Sequence, residues 1–182
     1  MEKSNDVKYY KAFDPGLSCR GFLYKVGYAY CMDEAPVICR RGFHYCPALS
    51  DVYRFYPTSP LTRVCLVTPF GKMVCEEFED LGFMTSSCKF LVEKFCTNRI
   101  RIDRELEPDE IVRTLVEERD ELKFQSDRRV VDVINDIRAR SDIILSRALP
   151  EDLHGLDPKW IMERAKKFRS AFADAFPKKG RR

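Results

Sequence analysis

This chain has little that would announce a function. Its 182 residues include one tryptophan, two histidines and eight glycines. No apolar run approaches the roughly eighteen residues that a membrane-crossing helix needs, so a helical span is not expected. None of the eight cysteines forms a Cys-x₂₋₄-Cys pair, which removes the usual spacing of structural zinc sites. No internal repeat and no sustained heptad occurs, which argues against a solenoid or a coiled coil. The net charge of +3 is too small to point to any partner by itself. Met1-Glu2-Lys3-Ser4-Asn5-Asp6 carries no apolar h-region, so a secretory signal is not expected. The corresponding expectation is a cytoplasmic protein, in an infected host or a virion where the setting is viral. Its cysteines are then thiols or ligands rather than bridges.

What is present supports folding. The composition is 45% hydrophobic, 12% aromatic and 34% charged, enough apolar material for a real core. The pattern divides into a β-rich part over residues 8–103, a helical part over 107–177 and a short basic tail over 178–182. Lys8 to Phe13 reads as an aromatic-rich strand ended by Asp14-Pro15-Gly16, a strong turn. Phe22 to Val26 alternates until Gly27, and Val37 to Cys39 and Phe43 to Cys46 are short strands. Pro47 sits well at the first position of a helix carrying Leu49, Val52, Tyr53 and Tyr56. Arg63 to Thr68 reads as a buried strand, with Pro69-Phe70-Gly71 as its turn and Lys72 to Cys75 as a hairpin partner. Glu76 to Asp80 is an acidic loop, and Lys89 to Phe95 and Arg99 to Ile102 are the last strands. Cys65, Cys75 and Cys96 lie in apolar runs and read as core.

Three helix signals follow. Pro108 opens the first, with Ile111, Leu115 and Leu122 on one face. Ser126-Asp127 caps the second, whose stripe runs through Val130, Ile134, Ile137, Ile144, Leu145 and Ala148 to Pro150. Asp157-Pro158 starts the third, with Ile161, Ala165, Phe168, Phe172 and Phe176 in helical register. The fold class expected is α+β: a small mixed sheet with one internal helix, followed by a three-helix segment.

The densest stretch is Cys39-Arg40-Arg41-Gly42-Phe43-His44-Tyr45-Cys46-Pro47, with Cys19-Arg20-Gly21-Phe22 upstream. Together with Tyr10-Lys11-Ala12-Phe13, Tyr24, Val26-Gly27, Asp51-Val52, Tyr56 and the stretches 64–71 and 87–95, it resembles a small uncharacterised domain of phage and bacterial proteins. That domain is sometimes joined to pentapeptide repeats. The resemblance implies a fold and a phage or other viral setting, without a mechanism.

The residues offer several chemistries. Cys19, Cys39, His44 and Cys46 together would make a tetrahedral zinc site, although their spacing is irregular. Cys46 before the Pro47 helix, with His44 two residues away, is a candidate nucleophile and base. The order of elements is similar to that of the ADP-ribosyltransferases, with His44, Tyr45 or Tyr53, and Glu93 available for their roles. However, Tyr10 and Lys11 stand on the first strand where those enzymes want His or Arg. Arg40-Arg41 beside Phe43 and Tyr45 is a phosphate-plus-stacking arrangement. From Lys159 onward nine Lys/Arg face two acids, so Lys166, Lys167, Arg169, Lys178, Lys179, Arg181 and Arg182 are candidates for contact with nucleic acid or an acidic partner. The principal expectation is a non-catalytic interaction or structural component with no metal or cofactor. It would act through protein–protein association, including self-association through the C-terminal helices.

Overall fold

The computed structural model describes residues 7–80, 90–121, 129–146 and 155–177, with side chains left out at 76–80 and 90–93. Among them the elements run β1 (Tyr9–Phe13), β2 (Ser18–Cys19), β3 (Phe22–Leu23), β4 (Ala29–Cys31), β5 (Phe43–Tyr45) and α1 (Leu49–Val52). They continue as β6 (Arg63–Asp80), β7 (Phe90–Glu105), α2 (Pro108–Glu121), α3 (Arg129–Ser146) and α4 (Pro158–Ala175). This is an α+β architecture, and every pairing among the described strands is antiparallel.

The sheet runs β1-β6-β7, and the far edge of β7 is shared end to end by β4 and β5. Beyond β5 the chain returns to β1. Tyr10 and Cys46 exchange both backbone hydrogen bonds, at 2.8 and 2.9 Å. The two edges of the sheet are therefore joined through Cys46, and the sheet curls around its own inner face. Period-2 alternation sorts the side chains. Phe13, Cys65, Val67, Ile100 and Ile102 pack inside the curl with Phe43 and Tyr45. Tyr10, Ala12 and Val64 face outward onto the helices.

Much of the described helical stripes is buried there, while Ile144, Ile161 and Ala165 pack in a smaller cluster with Leu61. Ile111, Val112 and Leu115 of α2, Val130, Ile134 and Ile137 of α3, and Phe168 and Phe172 of α4 join Tyr10, Ala12 and Val64 in one hydrophobic cluster. One core thus spans residues from both the β-rich and the helical stretches of the sequence. Buried Arg164 of α4 adds a polar tie. Its Nε donates to the Pro60 carbonyl at 2.7 Å and its NH1 lies 3.4 Å from Glu105, which also pairs with Arg63.

Several local expectations are corrected. Pro69-Phe70-Gly71 is no turn, and Lys72 to Cys75 is no hairpin partner: β6 continues through them to Asp80, with a bulge between Phe70 and Met73. The single Oγ1–H of buried Thr97 has the carbonyls of Phe70 (2.7 Å) and Lys72 (3.0 Å) within reach, while Asn98 Oδ1 accepts from Lys72 N at 2.9 Å. Those side chains meet backbone groups where the bulge interrupts the ladder. Glu76 to Asp80 is strand backbone paired with residues 90–94, not a loop. Cys75 is exposed, on the part of β6 beyond its pairing with β1, whereas Cys65 and Cys96 are fully buried. Val37 to Cys39 is a turn closed by a Val37–Arg41 bridge. The helix after Pro47 is one turn long, and its cap comes from elsewhere: Glu118 of α2 accepts from the backbone N–H of Leu49 (2.6 Å) and Ser50 (3.0 Å). Asp157 caps α4 by accepting from Lys159 N at 2.9 Å. Leu122, Ser126-Asp127, Ala148 and Pro150 lie outside the described residues.

Candidate functional site

A cavity of about 780 Å³ opens where the curled sheet meets the β2–β3 hairpin and the turn before β5. That is within the roughly 300–1,000 Å³ of small-molecule sites. Among the described residues five basic ones line it, Lys11, Arg20, Arg40, Arg41 and Lys94, against one acid, Asp14. Arg41 is partly engaged, its guanidinium 2.8 Å from Glu34.

Aromatic rings supply the remaining walls. Tyr24 stands edge-on to Phe22 and Tyr30, at centroid distances of 4.8 and 5.0 Å, and 6.4 Å from Phe43. Phe22 is 52% exposed at the hairpin, a ring about half open to solvent. Lys94 lies 4.0 Å from the centre of the Phe55 ring. The hairpin presents its side chains through a two-residue turn, Arg20 (φ 51°) and Gly21 (φ 78°), the left-handed pair that tight hairpins use. Arg20 in that conformation is unusual, because a residue with a Cβ is disfavoured there.

His44 sits on β5 and lines the cavity, but its ring is committed. Nε2 accepts a hydrogen bond from the Cys39 backbone N–H at 2.9 Å, which holds Cys39 in a left-handed turn of φ 61°. Burial is the main cause that pushes the His44 pKa down to about 4, with the charges of Lys94 and Lys11 acting the same way, so the imidazole is neutral near pH 7. Lys94 Nζ lies 3.5 Å from Cys39 Sγ, and Lys11 Nζ lies 3.9 Å from Cys19 Sγ. Cys46 is buried, and burial pushes its thiol up to about 12.

The sequence candidates are brought together unevenly. Cys19, His44 and Cys46 line the cavity, yet among the described residues no group of three His, Cys, Asp or Glu side chains is placed to hold a metal ion. Taking His44 as a ligand would also sacrifice the bond that forms the Cys39 turn. Of the transferase set, His44 and Tyr45 line the cavity. Tyr45 Oη already donates to Met73 Sδ at 3.3 Å. Tyr53 belongs to the helix-side core and lines a separate cavity of about 190 Å³. Glu93 is opposite Glu77 on β7, and its side chain is outside the description. For the Cys46–His44 pair, burial of Cys46 works against a thiolate by raising the thiol's pKa. Lys166, Lys167 and Arg169 are on the exposed face of α4, and Lys167 pairs with Glu107 at 3.0 Å. Lys178, Lys179, Arg181 and Arg182 are outside the described residues.

Sequence reasoning missed Lys94 and Phe55, and it placed Lys11 and Arg20 only within a resemblance. Lys11 had a signal of its own: it is a charge on the face of β1 that also carries Phe13, which turns inward.

No curated protein and no solved structure matches the chain. Residues 7–114, more than half of the chain, match a family whose span contains every residue lining the larger cavity, and this protein is a member of that family, the Domain of unknown function (DUF7666).

Proposed function

We propose that this chain is a non-catalytic binding component whose cavity takes a small ligand joining a flat ring to a phosphate, of the nucleotide type. One observation carries the reading: five basic side chains converge on an aromatic-walled cavity that offers one carboxylate. Arg20, Arg40, Arg41 and Lys94 give the cavity a positive potential, which an anion neutralises. Ring faces such as that of Phe22 stack any base, at roughly 1–3 kcal/mol each. A binding role is also favoured because the cavity's histidine is neutral and engaged and the Cys46 thiol is held protonated. Calorimetric titration with adenosine 5′-monophosphate is the test. Binding is expected, weakened at least tenfold in an Arg40→Ala/Arg41→Ala double variant and by raised salt. Adenosine and inorganic phosphate should each bind more weakly than the nucleotide. No binding, or affinity indifferent to both arginines, would reject the reading.

A second reading is association with another protein in a phage or viral setting. Its support is the exposed apolar stretch Phe22, Leu23 (69% exposed), Val26 and Tyr28 on the β2–β3 side, since grouped exposed apolar residues mark contact surfaces. Among the described residues the stripe positions of the helices are largely buried, so this stretch is the surface that supports the reading. Light scattering on the intact chain and on a Leu23→Glu variant tests this. A monomer in both at high concentration would remove self-association.

A further inference from the structure

Lys11 has an arrangement that charge pairing does not explain. It is 5% exposed, and no carboxylate pairs with it among the described residues. Among the described residues its Nζ reaches two acceptors, the His44 carbonyl at 3.2 Å and Cys19 Sγ at 3.9 Å. The rings of Phe13 and Tyr24 lie 5.3 and 5.7 Å away. An ammonium has three N–H donors, so one of them would be buried with only ring faces to meet. A neutral amine has two N–H groups and a lone pair. Its donors match the two acceptors, and the lone pair is unspent. Burial is also the main cause that lowers the Lys11 pKa, against the smaller opposing effects of Cys19 and Cys46. Desolvated lysines of this type are the ones that form Schiff bases.

We propose that Lys11 is a covalent capture site that forms an imine with an aldehyde carried on a ring-and-phosphate ligand in the larger cavity. This rests on the proposed binding of such ligands and adds a reactive group to it. The nitrogen lone pair forms the C–N bond while one N–H proton moves to the carbonyl oxygen. The carbinolamine then loses its second N–H proton with the hydroxyl, so the oxygen leaves as water and C=N remains. Nothing is oxidised or reduced. Arg40 and Arg41 hold the phosphate, and Phe22 stacks on the ring.

The probe is pyridoxal 5′-phosphate, trapped with borohydride on the full-length protein at pH 7 and located by peptide mapping. A single reduced adduct on Lys11 is expected, at least tenfold below that level with pyridoxal, which lacks the phosphate. Excess adenosine 5′-monophosphate should suppress it. Lys11→Met should abolish it, and Lys11→Arg serves as a second variant if Met does not fold. Adducts spread over exposed lysines with Lys11 spared would overturn the capture site. If the nucleotide still binds in that case, the cavity reading stands and only the covalent step falls. If the nucleotide fails to bind as well, both fall.

Discussion

Gly42 offers the sharpest test of how the cavity wall is built. It sits at φ +117° just before β5, a conformation that side chains with a Cβ rarely adopt. A Cβ added there would run into Cys96 Sγ, and would stand 3.0 Å from the Thr97 carbonyl oxygen and 3.2 Å from Pro36 Cβ. Two of those three neighbours cannot yield easily. Thr97 is backbone in the central strand β7, and Cys96 is fully buried with its thiol donating to the Arg41 carbonyl at 3.3 Å. Backbone strain of about 1–3 kcal/mol and overpacking of about 1–3 kcal/mol act together. Gly42→Ala should therefore cost about 4 kcal/mol, a large share of the roughly 5–15 kcal/mol that holds a domain together. Urea unfolding should show the loss as a lower midpoint at unchanged slope. Cys96→Ala removes the harder of the side-chain clashes, so the double variant should recover roughly 1–3 kcal/mol relative to additivity. A Gly42→Ala loss under about 1 kcal/mol, or no coupling to Cys96, would refute the reasoning.

Two further outcomes are expected. Arg164→Met leaves the Pro60 carbonyl unpaired and Glu105 short of a partner, and should destabilise by about 3–5 kcal/mol; Arg164→Lys should recover less than half, because an ammonium cannot reproduce the fork. Thermal melts of the three proteins decide it, and equal stability of the Met variant would contradict the tie between α4 and the sheet. His44 has a folded pKa lowered to about 4, so the unfolded chain takes up its proton first. Its contribution is fully present above the ordinary histidine value of about 6.5 and is lost as pH falls through about 4. His44→Gln, which keeps an acceptor for the Cys39 N–H, should flatten the stability profile over that window. An unchanged slope would show that His44 is not the titrating group.

Much of the architecture was legible along the chain because it depends on local periodicity. Alternation in Tyr9 to Phe13 and in Arg63 to Thr68 sorts side chains between two faces wherever those strands end up. The stripes Ile111–Leu115, Val130–Ile137 and Ile161–Phe172 demand burial regardless of partner, and Asp157-Pro158 starts a helix through its own side chain. Gly71 misled because a glycine at positive φ serves a turn and a bulge equally well. Only Thr97 and Asn98, more than twenty residues away, make it a bulge. Glu118 capping α1 is likewise invisible locally, since its bonds join residues nearly seventy apart.

The candidate site falls on the same side of that divide. Arg40-Arg41 next to Phe43 showed a fragment of it, and the lone charge of Lys11 in an apolar strand showed another. The sequence alone determined which faces are apolar, that helices begin at Pro108 and Asp157-Pro158, and that the front half is rich in rings and thiols, because each of these depends on neighbours a few residues apart. Tertiary structure decided that Lys11, Arg20, Arg40, Arg41 and Lys94 line one cavity. These side chains come from four segments far apart in sequence, so no local preference gathers them; long-range backbone pairing such as that between Tyr10 and Cys46 does.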